Sequence, residues 1–419
     1  MNTLSSFEDH INQLVAMGVH EAKSRTKSYF TKDYPGGMHL TEDPETSAVP
    51  PNFLNVADVQ TLKKMAGVED AIFGHPSAPH IEAMPHVNEL PQEISDPLHP
   101  LVCQALNSYV FGDSRKVSSW APLLNKLRFP MQIAAFVGDT IVVSPGNPLI
   151  IGTKDGPPVA PVFDKVEIQP GGQIICLAPA KPAFGTLSSL ATAHSLTQVG
   201  DPVSITLLAR GGDGGKGGDG GGSNLPAASP GGKGSDATES GKSGCNVAGS
   251  GGTGGKGNNG TKGGDGGRGG DANPITYSVD VLNGAFIVGS IGGNGGHGGN
   301  AGAGQNGGPG GPGGNSCRSC GAGAQGPGGD GGDAAPAGIG GDGGNGDKVY
   351  INFKNGNATF TLSDAKANGG DGGNGATGGS PGTGFPNNGK NGAPQDGAKG
   401  GNGGKPGIVI INGAIQAGY

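Results

Sequence analysis

The chain has 419 residues and a formal net charge of −7, and 90 of its residues are glycine, most of them after residue 210. Lys and Arg interleave with Asp and Glu without forming a basic stripe, which argues against a nucleic-acid partner. No run of 18 apolar residues occurs, so we expect no membrane span, and the N-terminus carries no recognisable signal peptide.

Residues 1–135 are predicted to form a mostly helical module for attachment or packing. An amphipathic helix is expected over 5–23, where Ser5 and Glu8 have capping-box spacing. Further helices are expected at Val56–Phe73, Leu101–Val110 and Val117–Leu127. The broken stretch between them holds three histidines and three acidic residues whose spacing matches no recognised metal site, namely His75, His80, His86, Glu82, Glu89 and Glu93.

Residues 136–210 are predicted to be a region of short strands. Thr140–Val143 and Leu149–Ile151 flank a Pro-Gly turn, and Val166–Ile168 and Ile174–Cys176 flank a second one. A further strand over Val203–Ala209 leads directly into the first glycine tract.

The glycine tracts of residues 211–419 have a period of three. Residues 211–219, 263–271 and 292–300 repeat Gly-Gly-X with a polar X. A flexible linker would show no such phase, and collagen needs one Gly per triplet in long unbroken runs. A calcium-binding β-roll needs a large apolar residue that is missing here. The pattern therefore predicts polyglycine II helices, whose bare edges allow close backbone packing.

Three Asn-Gly pairs predict hairpins at 276–290, 347–363 and 407–417. The resulting expectation is a mixed fold, with an N-terminal α-helical segment and short β-strand units, then a polyglycine II helix bundle on a β-hairpin base. Non-glycine tips would interrupt the tracts at 223–249, 315–320 and 379–396.

The Gly-Gly-X tracts at 211–222, 263–271, 291–300 and 368–376 resemble two groups of polyglycine II proteins. These are the distal tail-fibre adhesins of T-even-like phages and the small glycine-rich antifreeze proteins. The resemblance to the adhesins implies tip loops that bind host-surface receptors. The corresponding binding candidates are Leu225, Asn246, Ser316, Arg318, Pro381, Phe385 and Asn388.

Three cysteines fall in predicted tips and are candidates for a disulfide, Cys245, Cys317 and Cys320. Cys317 and Cys320 lack a surrounding βαβ unit and a second pair spaced for zinc, so no metal site is predicted. No nucleophile motif, phosphate loop or pair of catalytic carboxylates occurs. We therefore expect no enzyme activity, no catalytic residues and no cofactor.

The resulting hypothesis is a non-catalytic binding protein of the adhesin or receptor-binding type, found extracellularly or on a virion surface. Its partners would be a cell-surface receptor or glycan, or further copies of itself in an oligomer. The alternative is a self-assembling structural protein, forming a filament or surface layer. An ice-binding protein ranks third, because the tracts carry Asp, Lys and Arg where a flat ice-binding face favours small side chains.

Overall fold

The computed structural model describes residues 6–24, 26–74, 84–85, 87, 94, 100–154, 156–191, 205–221, 226–240 and 244–416. Its α-helices are α1 Phe7–Ala16, α2 Val59–Ala66, α3 Pro100–Phe111 and α4 Ala121–Arg128. Short 3-10 helices cover His20–Lys23, Thr31–Asp33, Asp70–Gly74 and Ser114–Trp120.

The strands before the glycine tracts are β1 Ser28–Phe30, β2 Met38–Leu40, β3 Asn52–Val56, β4 Met131–Val143, β5 Leu149–Ile151, β6 Val159–Ile168, β7 Ile174–Cys176, β8 Ala183–Ser189 and β9 Leu207–Arg210. Those within and between the tracts are β10 Thr238–Ser240, β11 Gly244–Asn246, β12 Ile275–Ile291, β13 Lys348–Asn355, β14 Ala358–Leu362, β15 Ile408–Ile411 and β16 Ala414–Ile415.

The predicted fold class is wrong. The described structure is of the α/β type and is dominated by a 14-stranded, mainly parallel sheet. Nine of its strands follow the order β1-β4-β6-β8-β12-β9-β7-β5-β2 and form a half-barrel. The sheet, rather than an N-terminal helical segment and a hairpin-based glycine bundle, organises the molecule.

The chain builds this sheet by passing repeatedly along two walls. Wall A contains β1, β4, β6, β8, β13, β15 and the first part of β12, and wall B contains β2, β5, β7, β9, β14 and the second part of β12. Each pass lays one strand parallel to the strand of the previous pass. The Pro-Gly turns at 145–146 and 170–171 carry the chain from wall A to wall B, so their flanking strands do not pair with each other.

Two of the three predicted hairpins are absent. Asn283 and Gly284 lie inside the continuous strand β12, and Asn355 and Gly356 lie where the chain passes from β13 to β14. A type I′ hairpin turn needs positive φ at both central residues. Among the described non-glycine residues only Asn412 has one, at 47°, and the hairpin of β15 and β16 is formed there.

Apolar side chains from both walls pack into one core between them. Phe163, Phe184, Phe286 and Ile351 are completely buried there, as is Leu149. The helices cover the outer face of wall A and form a second core around Trp120. The capping box of α1 is formed by Ser6 and Asp9, not by the predicted Ser5 and Glu8.

The glycine tracts occupy the connections from wall B back to wall A. The first leaves β9 and returns to β12, the second joins β12 to β13, and the third joins β14 to β15. Two earlier passes make the same connection with short links, at residues 152–158 between β5 and β6 and at residues 177–182 between β7 and β8. The tracts are therefore long versions of a connection that the sheet already uses.

Candidate functional site at the tips of the glycine segments

Each glycine connection runs away from the sheet and returns, giving six extended segments. We name them g1 (211–221 and 226–237), g2 (249–271), g3 (292–315), g4 (321–346), g5 (366–384) and g6 (389–407). Segment g1 stays paired with g3 out to Ala237, whose N–H donates to the Asn315 carbonyl at 2.9 Å. The first outward run therefore continues well beyond the predicted end at residue 222.

Successive backbone N–H groups of one triplet donate to different neighbouring segments. In g3, Gly293 donates to the Gly270 carbonyl of g2 at 2.8 Å, and Gly295 donates to the Asn368 carbonyl of g5 at 2.8 Å. Between them, the N–H of Asn294 donates to the Asp213 carboxylate of g1 at 2.7 Å. A triplet inside the array thus satisfies all of its donors, which explains the three-residue period.

At many positions where segments touch, only glycine fits, although a few such as Ala335 hold alanine. A Cβ added at Gly299 would collide with the carbonyl group of Gly218, and one added at Gly341 would collide with that of Gly267. On the outer edge the situation is different, because a Cβ at Gly218 or Gly215 would meet no atom within 4 Å.

The polar X residues also have a structural role that the sequence pattern did not reveal. Asp271 accepts from the N–H of Asn345 at 2.7 Å, and Asn345 in turn accepts from the N–H of Lys405 at 3.0 Å. The interleaved charges form ion pairs three residues apart, such as Lys233 with Asp236 at 2.7 Å. Acceptance from the Asn315 N–H, aided by Lys233, holds the pKa of Asp236 below its ordinary value.

The first tip is a short hairpin formed by β10 and β11. Thr238 pairs with Asn246 and Glu239 pairs with Cys245. The Asn246 side-chain amide donates to the Thr238 hydroxyl at 3.2 Å, and both residues are exposed.

The second tip is the tight turn of residues 316–320. Cys317 and Cys320 exchange backbone hydrogen bonds of 3.0 and 3.4 Å across this turn. A disulfide joins Cys320 to Cys245 of the first tip, with the two Cα atoms 6.1 Å apart. The first two tips therefore form one covalently tied end.

The third tip, between g5 and g6, lies beside the second connection and extends less far from the sheet than the other two tips. Gly310 donates to Thr383, and Phe385 donates to Gly326, so g5 stops about five residues before the end of g3. At a rise of about 3.1 Å per residue, that places the third tip roughly 15 Å nearer the sheet. Phe385 is 60% exposed there.

Most predicted binding residues lie at these tips, in two groups. Asn246, Ser316 and Arg318 are exposed at the tied end, whereas Phe385 and Asn388 are exposed at the third tip. Pro381 is half-buried in g5. Leu225 lies outside the described residues. So do the three histidines and three acidic residues of the broken stretch between residues 75 and 93.

A small cavity under α1 contains groups that no sequence pattern singled out. His10, Met65 and Lys181 line it, and Lys181 donates to the Met65 carbonyl. Burial lowers the pKa of Lys181 to about 8 and that of His10 to about 4. The cavity of about 30 Å³ has room for one or two water molecules, so it is too small for an organic substrate.

None of the helices in the described residues has the length and apolar character needed to cross a bilayer. Comparisons with protein-family models, with curated proteins and with solved structures found no match.

Proposed function

We propose that this protein is a non-catalytic binding protein of the adhesin or receptor-binding type, whose contact surface is formed by the tips of its glycine segments. The observation that carries the proposal is a difference between the interior of the segment array and its tips. Inside the array, the N–H groups of a triplet such as 293–295 are all bonded to neighbouring segments. At the tips, side chains such as Arg318 and Phe385 are exposed.

The two tip groups suit different contacts on a cell surface. Arg318 and Asn246 offer hydrogen-bond donors to an anionic or polar group, such as those of a glycan. Phe385 offers an exposed aromatic ring, which is a common anchor in binding sites. We propose an extracellular or virion-surface location on the same grounds.

The test is a binding assay on whole cells and on immobilised glycans. The variants Arg318→Ala and Phe385→Ala should each weaken binding at least about tenfold, as expected for central contact residues. Ile339→Ser is the matched control, because Ile339 is also exposed, at 54%, but lies within g4 nearer to the sheet than to the tip. Unchanged binding by both tip variants would contradict the proposal.

A self-assembling structural protein is the second candidate, and the outer edge of g5 and g6 favours it. Gly372 and Gly375 in g5, and Gly397 and Gly400 in g6, donate no backbone hydrogen bond within the described residues. Such an open edge can pair with another copy. Pro394 and Pro406 interrupt it, since proline has no N–H.

Light scattering over a range of concentrations separates the two candidates. A binding protein should remain a discrete species, whereas an assembling protein should grow with concentration. In the second case Gly400→Pro, which removes one edge donor, should reduce the growth, and the tip variant Phe385→Ala should not.

A further inference from the structure

Three sulfur atoms meet at the tied end of the first two connections. The sulfur atoms of Cys245, Cys317 and Cys320 all lie within 4.8 Å of one another, and each residue is partly accessible to solvent. Cys245 and Cys320 are 75 residues apart in the sequence, which is why the spacing of the Cys317–Cys320 pair alone gave no indication of a third sulfur.

This arrangement is close to what a metal ion requires. Zinc–thiolate bonds of about 2.3 Å place the sulfur atoms of a tetrahedral site about 3.8 Å apart. Small side-chain rotations would bring three sulfurs from within 4.8 Å to that separation. The backbones are already held, Cys245 by pairing with Glu239 and the 317–320 turn by its own two hydrogen bonds.

We propose that the reduced form of this tip binds one thiophilic divalent ion of the zinc type through Cys245, Cys317 and Cys320. A thiol reductant first converts the Cys245–Cys320 disulfide to two thiols, with two reductant thiols becoming one disulfide. The ion then replaces the protons of the three thiols, so three protons are released. The proposal does not depend on receptor binding.

The charge and the coordination of the site follow from its ligands. Three thiolates around a divalent ion leave one net negative charge, and Arg318 in the same turn carries a positive charge. Within the described residues, the cluster has no fourth ligand, whether a carboxylate, an imidazole or a thiol. The fourth position is therefore open to water or to a partner's side chain.

The site would have a clear consequence for the tip. The disulfide ties the first tip to the second under oxidising conditions, and the metal would tie the same two tips together through three cysteines under reducing conditions. Tip geometry would thus be kept in both redox environments.

The test is a cadmium titration of the full-length protein after reduction, once a thiol assay shows all 5 cysteines free. We expect sulfur-to-metal charge-transfer absorption that saturates at one ion per chain. Zn²⁺ should compete with Cd²⁺ for the same site. Absence of saturable absorption would overturn the proposal.

Single serine variants identify the ligands. Cys245→Ser, Cys317→Ser and Cys320→Ser should each weaken cadmium binding at least about tenfold. Cys103→Ser is the control, because Cys103 lies in α3 and outside the cluster. Binding by Cys317→Ser as tight as that of the parent would contradict the three-sulfur site.

A second measurement covers the case in which reduction loosens the tip. Hydrogen exchange of residues 238–246 and 316–320 should be slowed when Zn²⁺ is added to the reduced protein. In reduced Cys317→Ser, the exchange of these residues should stay fast after Zn²⁺ is added. Equal exchange with and without Zn²⁺ in the parent would overturn the proposal.

Discussion

The two walls and the six glycine segments are made by one continuous chain path but are stabilised by different chemical groups. In the walls, large side chains such as Phe286 and Phe163 are removed from water. In the segments, the stabilising groups are backbone N–H and C=O groups, and the bonds from one segment to any one neighbour recur every third residue. The walls depend on which side chains are present, whereas the segments depend on where side chains are absent.

This difference sets how each region should respond to substitution. A hydrophobic core loses stability when a side chain is shortened, because burial is lost and a cavity remains. A close-packed backbone array loses stability when a side chain is added, because the hydrogen-bonded segments are forced apart. Opposite kinds of mutation should therefore damage the two regions.

Shortening a wall side chain should have the largest effect. Phe286 is fully buried, and its ring centroid lies 6.1 Å from that of Phe360 on the same wall. We expect Phe286→Ala to lower the free energy of unfolding by about 3–5 kcal/mol. Phe385→Ala, at the exposed third tip, should change it by less than about 0.5 kcal/mol. Similar losses in urea unfolding would show that wall burial does not dominate.

Adding a methyl group inside the segment array should have the next largest effect. A Cβ at Gly299 would collide with the carbonyl of Gly218, so Gly299→Ala should cost about 1–3 kcal/mol or more. Gly218→Ala should instead stabilise the protein by about 0.4–1 kcal/mol, because its Cβ meets nothing and the unfolded chain loses freedom. Equal effects of the two changes would refute the close packing of g1 against g3.

The sequence predicted local features of both regions but not how they pair. Strands occur near 140–143, 149–151, 166–168 and 174–176, where the alternation of apolar and polar residues predicts them. Their partners are parallel strands one pass away, as in the pairing of Ile141 with Val166, and no local pattern reveals such distant neighbours. Gly284 and Gly356 have φ values of 99° and 127°, so an Asn-Gly pair here marks a bend between walls.

The candidate site was predictable to a similar degree. The positions of the tips follow from the breaks in the Gly-Gly-X repeat, which place Ser316, Arg318 and Phe385 outside the tracts. The meeting of Cys245 with Cys317 depends on the height at which g1 ends beside g3, and that height is set by hydrogen-bond register rather than composition. The X residues of successive segments also form a ladder of hydrogen bonds, in which Asp271, for example, accepts from the N–H of Asn345. This X-residue ladder is equally non-local.

Removing one acceptor from this ladder should have a moderate effect. Asp342 accepts from the backbone N–H of Asn402 at 2.7 Å and from its side-chain amide at 3.1 Å. Asp342→Ala leaves that backbone N–H without its acceptor and should cost about 1 kcal/mol. Asp342→Asn keeps an acceptor oxygen and should restore most of the loss in thermal unfolding. If both variants behave alike, the ladder contributes nothing measurable.

Protonating the ladder should have the smallest effect and should act on the segments alone. The Ile339 N–H, with Lys262, lowers the pKa of Asp265, and the Asn315 N–H does the same for Asp236. Because these pKa values are depressed in the folded state, their contribution is present above the unfolded value of about 3.9 and is lost as pH falls through the folded value. Hydrogen exchange of g2 and g4 around Asp265, and of g1 and g3 around Asp236, should therefore quicken at acid pH relative to the walls. The double variant Asp236→Asn with Asp265→Asn keeps the acceptors without titrating, so its segments should show a smaller acid response. An identical acid response in parent and variant would assign the acid sensitivity to other carboxylates.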